Sequence, residues 1–137
     1  MDTSPSGPVD DVSVSRRIEI ASDGRLPRYD GTTLSTLTAL GFSMDEIYRF
    51  VAPRRTIARR IANREPLTVA ENDSALRLVR VIEHADQVFG DRVKALRWLR
   101  KPSRALNGVA PVDLLESETG AHLVEQALYQ IEFGIYV

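Results

Sequence analysis

Two helix-start signals, Ser43-Met44-Asp45-Glu46 and Thr68-Val69-Ala70-Glu71, constrain this chain more tightly than any other feature of its sequence. In each, a hydroxyl and a glutamate three residues on satisfy two backbone N–H groups that a helix start leaves without partners. Phe42 and Ile47 flank the first signal as the two halves of a hydrophobic staple. Before it, Leu34, Leu37 and Leu40 recur at helical spacing, and Gly41 is placed to end that helix. After it, Ile47, Phe50 and Val51 form an inward face. Pro53 suits the first turn of a third helix ending near Asn63, and Glu65-Pro66 breaks it.

From Thr68 a long helix carries Ala75, Leu78, Val79, Ile82, Ala85 and Phe89 on one side. Gly90 ends it, and Asp91 caps the next, whose inner face is read as Val93, Leu96 and Leu99. Pro102 follows, Asn107-Gly108 marks a turn, and Pro111 to Leu115 reads as a short helical turn. Thr119 is expected to cap a last helix bearing Val124, Ala127, Leu128 and Ile131. Gly134 stops it, leaving Ile135, Tyr136 and Val137 as an apolar tail. The expectation is an all-α chain in three parts. Residues 1–31 are a poorly ordered segment broken by Pro and Gly, with a weak strand-like alternation over 12–20. Residues 32–67 form a helix-turn-helix region, and residues 68–137 a helical domain.

The 137 residues allow one domain, or one with a small appended module. No apolar run approaches the roughly 18 residues that a membrane span needs. The polar, acidic start lacks the basic end and apolar core of a secretory signal. There is no cysteine, hence no disulfide and no thiolate metal site. The expected location is the cytoplasm, with no membrane partner. Catalysis is poorly supported. His84 and His122 fall on different helices without a carboxylate at metal-ligand spacing, and no phosphate-cradling glycine loop or nucleophile motif is present. No catalytic residue, metal or cofactor is expected.

Charge is unevenly spread. Residues 1–48 hold four basic and eight acidic side chains, residues 49–64 six arginines and no acid, and residues 102–137 one arginine and five acids. Such blocks point to two surfaces with different partners, or merely to a genome that favours arginine, which outnumbers lysine 16 to 2. On a helical wheel, Arg54, Ile57, Ala58, Ile61 and Ala62 fall on one side, and Arg55, Thr56, Arg59, Arg60 and Asn63 on the other. The expected helix buries an Ile/Ala ridge and presents arginines. That suits the second helix of a helix-turn-helix, in which Arg reads guanine, Asn reads adenine and further arginines grip phosphates. A solvated basic face on a bundle helix fits the same wheel. Trp98, the single tryptophan, either packs under the 102–111 loop or anchors a protein partner. The apolar tail either folds back or enters a partner's groove.

Several stretches match a known pattern in order. They begin with Pro53-Arg54-Arg55-Thr56-Ile57-Ala58-Arg59-Arg60, Leu67-Thr68 and Glu71-Asn72-Asp73. Ala85-Asp86-Gln87-Val88-Phe89-Gly90-Asp91, Ala95 and Trp98-Leu99 follow. Then come Pro102, Ala105-Leu106-Asn107-Gly108 and Pro111-Val112-Asp113-Leu114-Leu115. The series ends in Thr119-Gly120-Ala121, Val124-Glu125, Leu128, Ile131 and Gly134-Ile135-Tyr136. Over about residues 34–137 the chain resembles the Xre/ParS-type antitoxins, a family with an Xre-like helix-turn-helix region and a toxin-binding domain. The resemblance implies an antitoxin of a type II toxin–antitoxin pair. Its partner would be a RES/ParT-type toxin that degrades NAD or transfers ADP-ribose, neutralised by covering the NAD cleft. It also implies a homodimer inside a hetero-oligomeric complex, bound to operator DNA to repress its own operon. It assigns DNA contacts to Arg54, Arg55, Thr56, Arg59, Arg60 and Asn63. Toxin contacts go to Trp98, Leu99, Asn107, Gly108, Pro111, Leu114, Leu115, Gly120, Val124, Ile131, Gly134, Ile135 and Tyr136, with Val137 completing the tail. The long polar stretch 1–31 departs from the simplest members. Two further readings stay open: a stand-alone regulator with a C-terminal dimerisation domain, and a helical adaptor with neither partner.

Overall fold

The computed structural model describes residues 34–134. The expectations for residues 1–31 and for the tail at 135–137 lie outside the described residues. Within them the chain is helical: α1 (Leu34–Ala39), α2 (Met44–Phe50), α3 (Arg54–Asn63), α4 (Val69–Phe89), α5 (Arg92–Leu99) and α6 (Glu118–Glu132). Two 3-10 turns, Arg104–Leu106 and Pro111–Leu114, bridge α5 to α6. The all-α expectation holds.

Both capping boxes are formed. Ser43 Oγ accepts from Glu46 N at 3.1 Å while Glu46 Oε1 accepts from Ser43 N at 2.8 Å. Thr68 and Glu71 do the same at 3.1 and 3.0 Å. Phe42 and Ile47 are both fully buried, as a staple requires. Asp91 caps α5 through Val93 N. The cap of α6 differs from the expectation. Ser117, not Thr119, accepts from Gly120 N, so the helix begins one residue earlier than Thr119, at Glu118. Either hydroxyl suits a cap; Ser117 alone has the extended backbone, at φ −138° and ψ 159°, that a cap position demands.

The 21-residue α4 is the axle of the fold and packs against α1, α5 and α6. It buries Ala75, Leu78, Val79, Ile82 and Ala85 as expected, with Val81 besides, because neighbours cover more than one of its faces. On α5 the inward residues are Ala95 and Leu99, with Leu96 half-buried. Val93 is 60% exposed, a correction to the inner face read from spacing: Ala95 and Leu99 set the inward side of α5, and at about 100° per residue Val93 lies well round the helix from both.

One continuous core runs from Leu34 through Leu128, so the two expected parts share their interior. Two arginines at the ends of α5, Arg92 in its first turn and Arg100 at its C-cap, also fasten the first part to the second. Arg92 Nη1 donates to Leu40 O at 3.0 Å, and Arg100 Nη2 donates to Gly41 O at 2.6 Å. These are carbonyls that the end of α1 leaves unpaired. Arg92 also grips Asp86, with Nε donating to both carboxylate oxygens at 2.8 Å. Arg100 grips Glu46 at 2.8 and 3.0 Å.

Candidate interaction surfaces

The arginine helix sits in the structure as predicted in position but not in orientation. Ile57 is buried, yet Ala58 and Ala62 are exposed and Ile61 is 44% exposed. The side turned inward carries Ile57, half-buried Thr56 and Arg60. The helix is thus rotated by roughly a third of a turn from the Ile/Ala-inward expectation, at 100° per residue. The cause is a charge pair. The Arg60 side chain, 11% exposed, donates to Glu65 Oε1 at 3.1 Å and to Glu71 Oε2 at 3.0 Å. The Glu71 hydrogen bond is the larger of the influences that raise the Arg60 pKa, followed by the charges of Glu71 and Glu65. Glu71 already faces this way because it closes the α4 capping box. Leaving two alanines and one isoleucine in water costs less than stripping water from an unpaired guanidinium.

The rest of the helix is available. Arg54 and Arg55 are exposed, and the Arg54 guanidinium lies 5.4 Å above the Tyr48 ring. Arg59 is exposed and meets Glu65 at 3.3 Å. Asn63 Nδ2 donates to the other Glu65 oxygen, also at 3.3 Å. The outer face therefore shows Arg54, Arg55 and Arg59 around a strip of Ala58, Ile61 and Ala62. It follows α2 across the short connection Val51-Ala52-Pro53.

The charge blocks of the sequence largely cancel in space. Arg49 meets Asp113 at 3.0 Å and Glu116 at 2.6 Å. Arg80 meets Glu125 at 2.6 Å and Glu118 at 2.7 Å, and Arg77 meets Glu118 at 3.3 Å. Burial pushes the Glu118 pKa up, but the Arg80 charge and hydrogen bonds from Arg77 and Arg80 outweigh it and leave it lowered. Of the five acids after residue 101, four are thus paired with arginines of earlier helices. The acidic stretch seals one part of the fold to the other and is not a free docking surface.

Most residues that the resemblance assigns to toxin contact build the domain's frame. Leu99, Pro111, Leu115, Gly120 and Val124 are buried; Trp98, Leu114 and Ile131 are half-buried. Trp98 packs at 5.7 Å from Phe89, ring to ring. Asn107 and Gly108 are exposed at the tip of a loop that Ser103 and Val109 close at its base, and Gly134 is exposed at the end of α6. Asn107, at φ 56°, holds the left-handed turn that its side chain tolerates.

Sequence reasoning missed the exposed apolar groups of this half, chiefly Tyr129 and Phe133 on α6, 55% and 64% exposed. A signal existed: they are four residues apart, on the side of α6 opposite Val124 and Leu128. No group of His, Asp and Glu among the described residues is arranged to hold a metal. No helix of the described residues is long and apolar enough to cross a membrane.

Residues 84–134 match the family model for the Antitoxin Xre/MbcA/ParS C-terminal toxin-binding domain. An Antitoxin Xre of Pseudomonas putida is 35% identical over 121 residues, covering 85% of this chain and 76% of that one. This chain belongs to the Xre/MbcA/ParS antitoxin family. An Antitoxin Xre of Yersinia enterocolitica is 33% identical, covering 81% of this chain and 86% of the other. A Sphingobium protein named Prs ADP-ribosylating antitoxin is 29% identical over 59% of this chain and 57% of its own. Membership makes the chain an antitoxin rather than an enzyme, with a toxin protein as its partner.

Proposed function

We propose that this antitoxin neutralises a RES/ParT-type toxin, an enzyme that spends NAD, by covering its active site in a type II pair. The observation that carries this reading is the match of residues 84–134 to a toxin-binding domain. The name of the Sphingobium relative adds an ADP-ribosylating system to the family's range, and ADP-ribose transfer consumes NAD. The domain offers a platform for this: α6 is tied to α4 by the Arg77/Arg80–Glu118/Glu125 ion pairs, and the apolar residues 135–137 follow it in the sequence. An interface of standard size would bury about 1,600 Å² in total. Inhibition needs no chemistry from this chain, only occupancy of the cleft.

The second activity proposed is operator binding by a homodimer, in the cytoplasm. Arg54, Arg55 and Arg59 on the outer face of α3 would supply guanine and phosphate contacts, and Ala58, Ile61 and Ala62 would lie against thymine methyls. Arg60 acts behind them as a fastening to α4.

The test is co-expression with the adjacent gene product. Wild type should co-purify with it, restore growth and stop its NAD consumption. Removing residues 134–137 should leave the fold intact and weaken inhibition. An adjacent protein that neither binds the chain nor is inhibited by it defeats the proposal.

A further inference from the structure

Helix α6 has two apolar faces. At 100° per residue, Val124, Leu128 and Ile131 lie on the inward side, and Tyr129 and Phe133 fall on average about 150° away from them. A solvated helix face ordinarily carries charged or polar side chains there. The two rings instead stack on each other, with centroids 6.2 Å apart and planes 8° from parallel. The His84 ring of α4 meets Tyr129 edge-on at 4.9 Å. The carboxylates of Glu125 and Glu132 flank His84, 3.5 Å from its Nδ1 and 3.9 Å from its Nε2. Tyr129 is thus restrained on two sides while more than half of it faces water. Among the described residues, Tyr129 and Phe133 remain 55% and 64% exposed.

We infer that the Tyr129–Phe133 pair is a preorganised anchor for the toxin, seated in an apolar groove on the toxin's surface. The inference deepens the proposed function and rests on its toxin-binding reading. Two observations favour the toxin as occupant. The pair lies inside the segment matched to the toxin-binding domain, and it sits at the end of α6, Tyr129 in the last turn and Phe133 at the C-cap. The exposed area of the two rings is also small. At about 200 Å² per aromatic side chain they offer about 250 Å², well below the roughly 800 Å² that each partner of a stable dimer contributes. The patch cannot hold a second copy alone, but it fits as one end of a longer interface. Restrained aromatics lose little freedom on binding, which is why Tyr is frequent among residues that dominate interfaces.

The test uses the full chain and the purified, fluorescently labelled product of the adjacent gene. Tyr129→Ala with Phe133→Ala should weaken binding at least about 30-fold, the effect of losing interface anchors. Both side chains are largely exposed, so the melting temperature should stay near wild type. The exchange Tyr129→Phe with Phe133→Tyr should retain most of the affinity. Unchanged binding by the double alanine variant, with wild type bound, overturns this inference and leaves the functional reading standing. A dimer in wild type that becomes a monomer in the variant, with toxin affinity kept, assigns the face to a second copy and also overturns it. If wild type itself fails to bind, inference and functional reading fall together.

Discussion

A Cβ added to Gly120 would lie 1.8 Å from the carbonyl oxygen of Leu114. The first turn of α6 therefore rests directly on the backbone of the 3-10 turn Pro111–Leu114, a contact that no flexible side chain can relieve. Gly→Ala inside a helix ordinarily stabilises by about 1 kcal/mol. Here Gly120→Ala should destabilise by about 2–3 kcal/mol, the usual cost of overpacking. The midpoint of thermal unfolding should fall by roughly 10 °C. A midpoint that rises shows that the two segments are not in contact. Toxin affinity per folded molecule should be little changed, because Gly120 shapes the domain from within.

Glu46 makes a pH-dependent link between the first helices and α5. Burial raises its pKa, but the hydrogen bonds and charge of Arg100, with the Ser43 N–H, outweigh burial and leave it lowered. A carboxylate lowered in the folded state adds stability above its unfolded pKa, near the ordinary glutamate value of about 4.3. That stability is lost as pH falls through the folded pKa. Glu46→Gln should therefore be less stable than wild type at neutral pH and converge on it in acid below about pH 4. Urea titrations at a series of pH values would show this. A constant gap between the two proteins across the range means that Glu46 contributes only as a cap.

The local architecture was legible because its signals are short. Ser43–Glu46, Thr68–Glu71, Gly90–Asp91 and Asn107–Gly108 each act within four residues, and each appears where read. The facing of α3 was not legible. A wheel assumes that apolar groups decide which side turns inward, but here an ion pair eleven residues apart, Arg60–Glu71, outranks two alanines and an isoleucine. The same limit hid Arg49–Glu116 and Arg100–Glu46, whose partners are 67 and 54 residues away. The acidic stretch looks like a separate surface in the sequence because the arginines that pair with it lie in other helices. Of the toxin-contact residues, the resemblance marked mainly those that fix the domain's shape, whereas Tyr129 and Phe133 face water.

Glu71 serves both α3 and α4, so its removal should cost more than a cap. Oε1 accepts from Thr68 N at 3.0 Å and Oε2 accepts from Arg60 Nη2 at 3.0 Å, with the two side chains only 14% and 11% exposed. A lost cap costs about 1 kcal/mol, and leaving the largely covered Arg60 guanidinium with Glu65 as its one carboxylate partner adds a further penalty. Glu71→Ala should therefore lose about 2–3 kcal/mol. In a double-mutant cycle with Arg60→Ala, the coupling should exceed about 0.5 kcal/mol. Additive losses would show that the pair contributes nothing beyond its separate parts.

The orientation of α3 divides its arginines into two classes that DNA binding should separate. Arg55 and Arg59 face water, and the Arg59–Glu65 contact, at 3.3 Å between half-exposed groups, is too weak to withhold Arg59 from phosphate. Arg55→Glu with Arg59→Glu should abolish retention of a fragment carrying the gene's own promoter, with the melting temperature and toxin inhibition unchanged. The single change Arg55→Ala should weaken binding and reduce the steepness of the log affinity against log salt plot by about one unit. Arg60→Gln should behave oppositely: it should lower the melting temperature, but the remaining folded protein should bind the same fragment with the wild-type salt slope. The reversal at Arg55 and Arg59 leaving promoter binding intact would falsify α3 as the DNA-reading element. The proposed toxin contacts on α6 are argued from separate residues and would stand apart from that result.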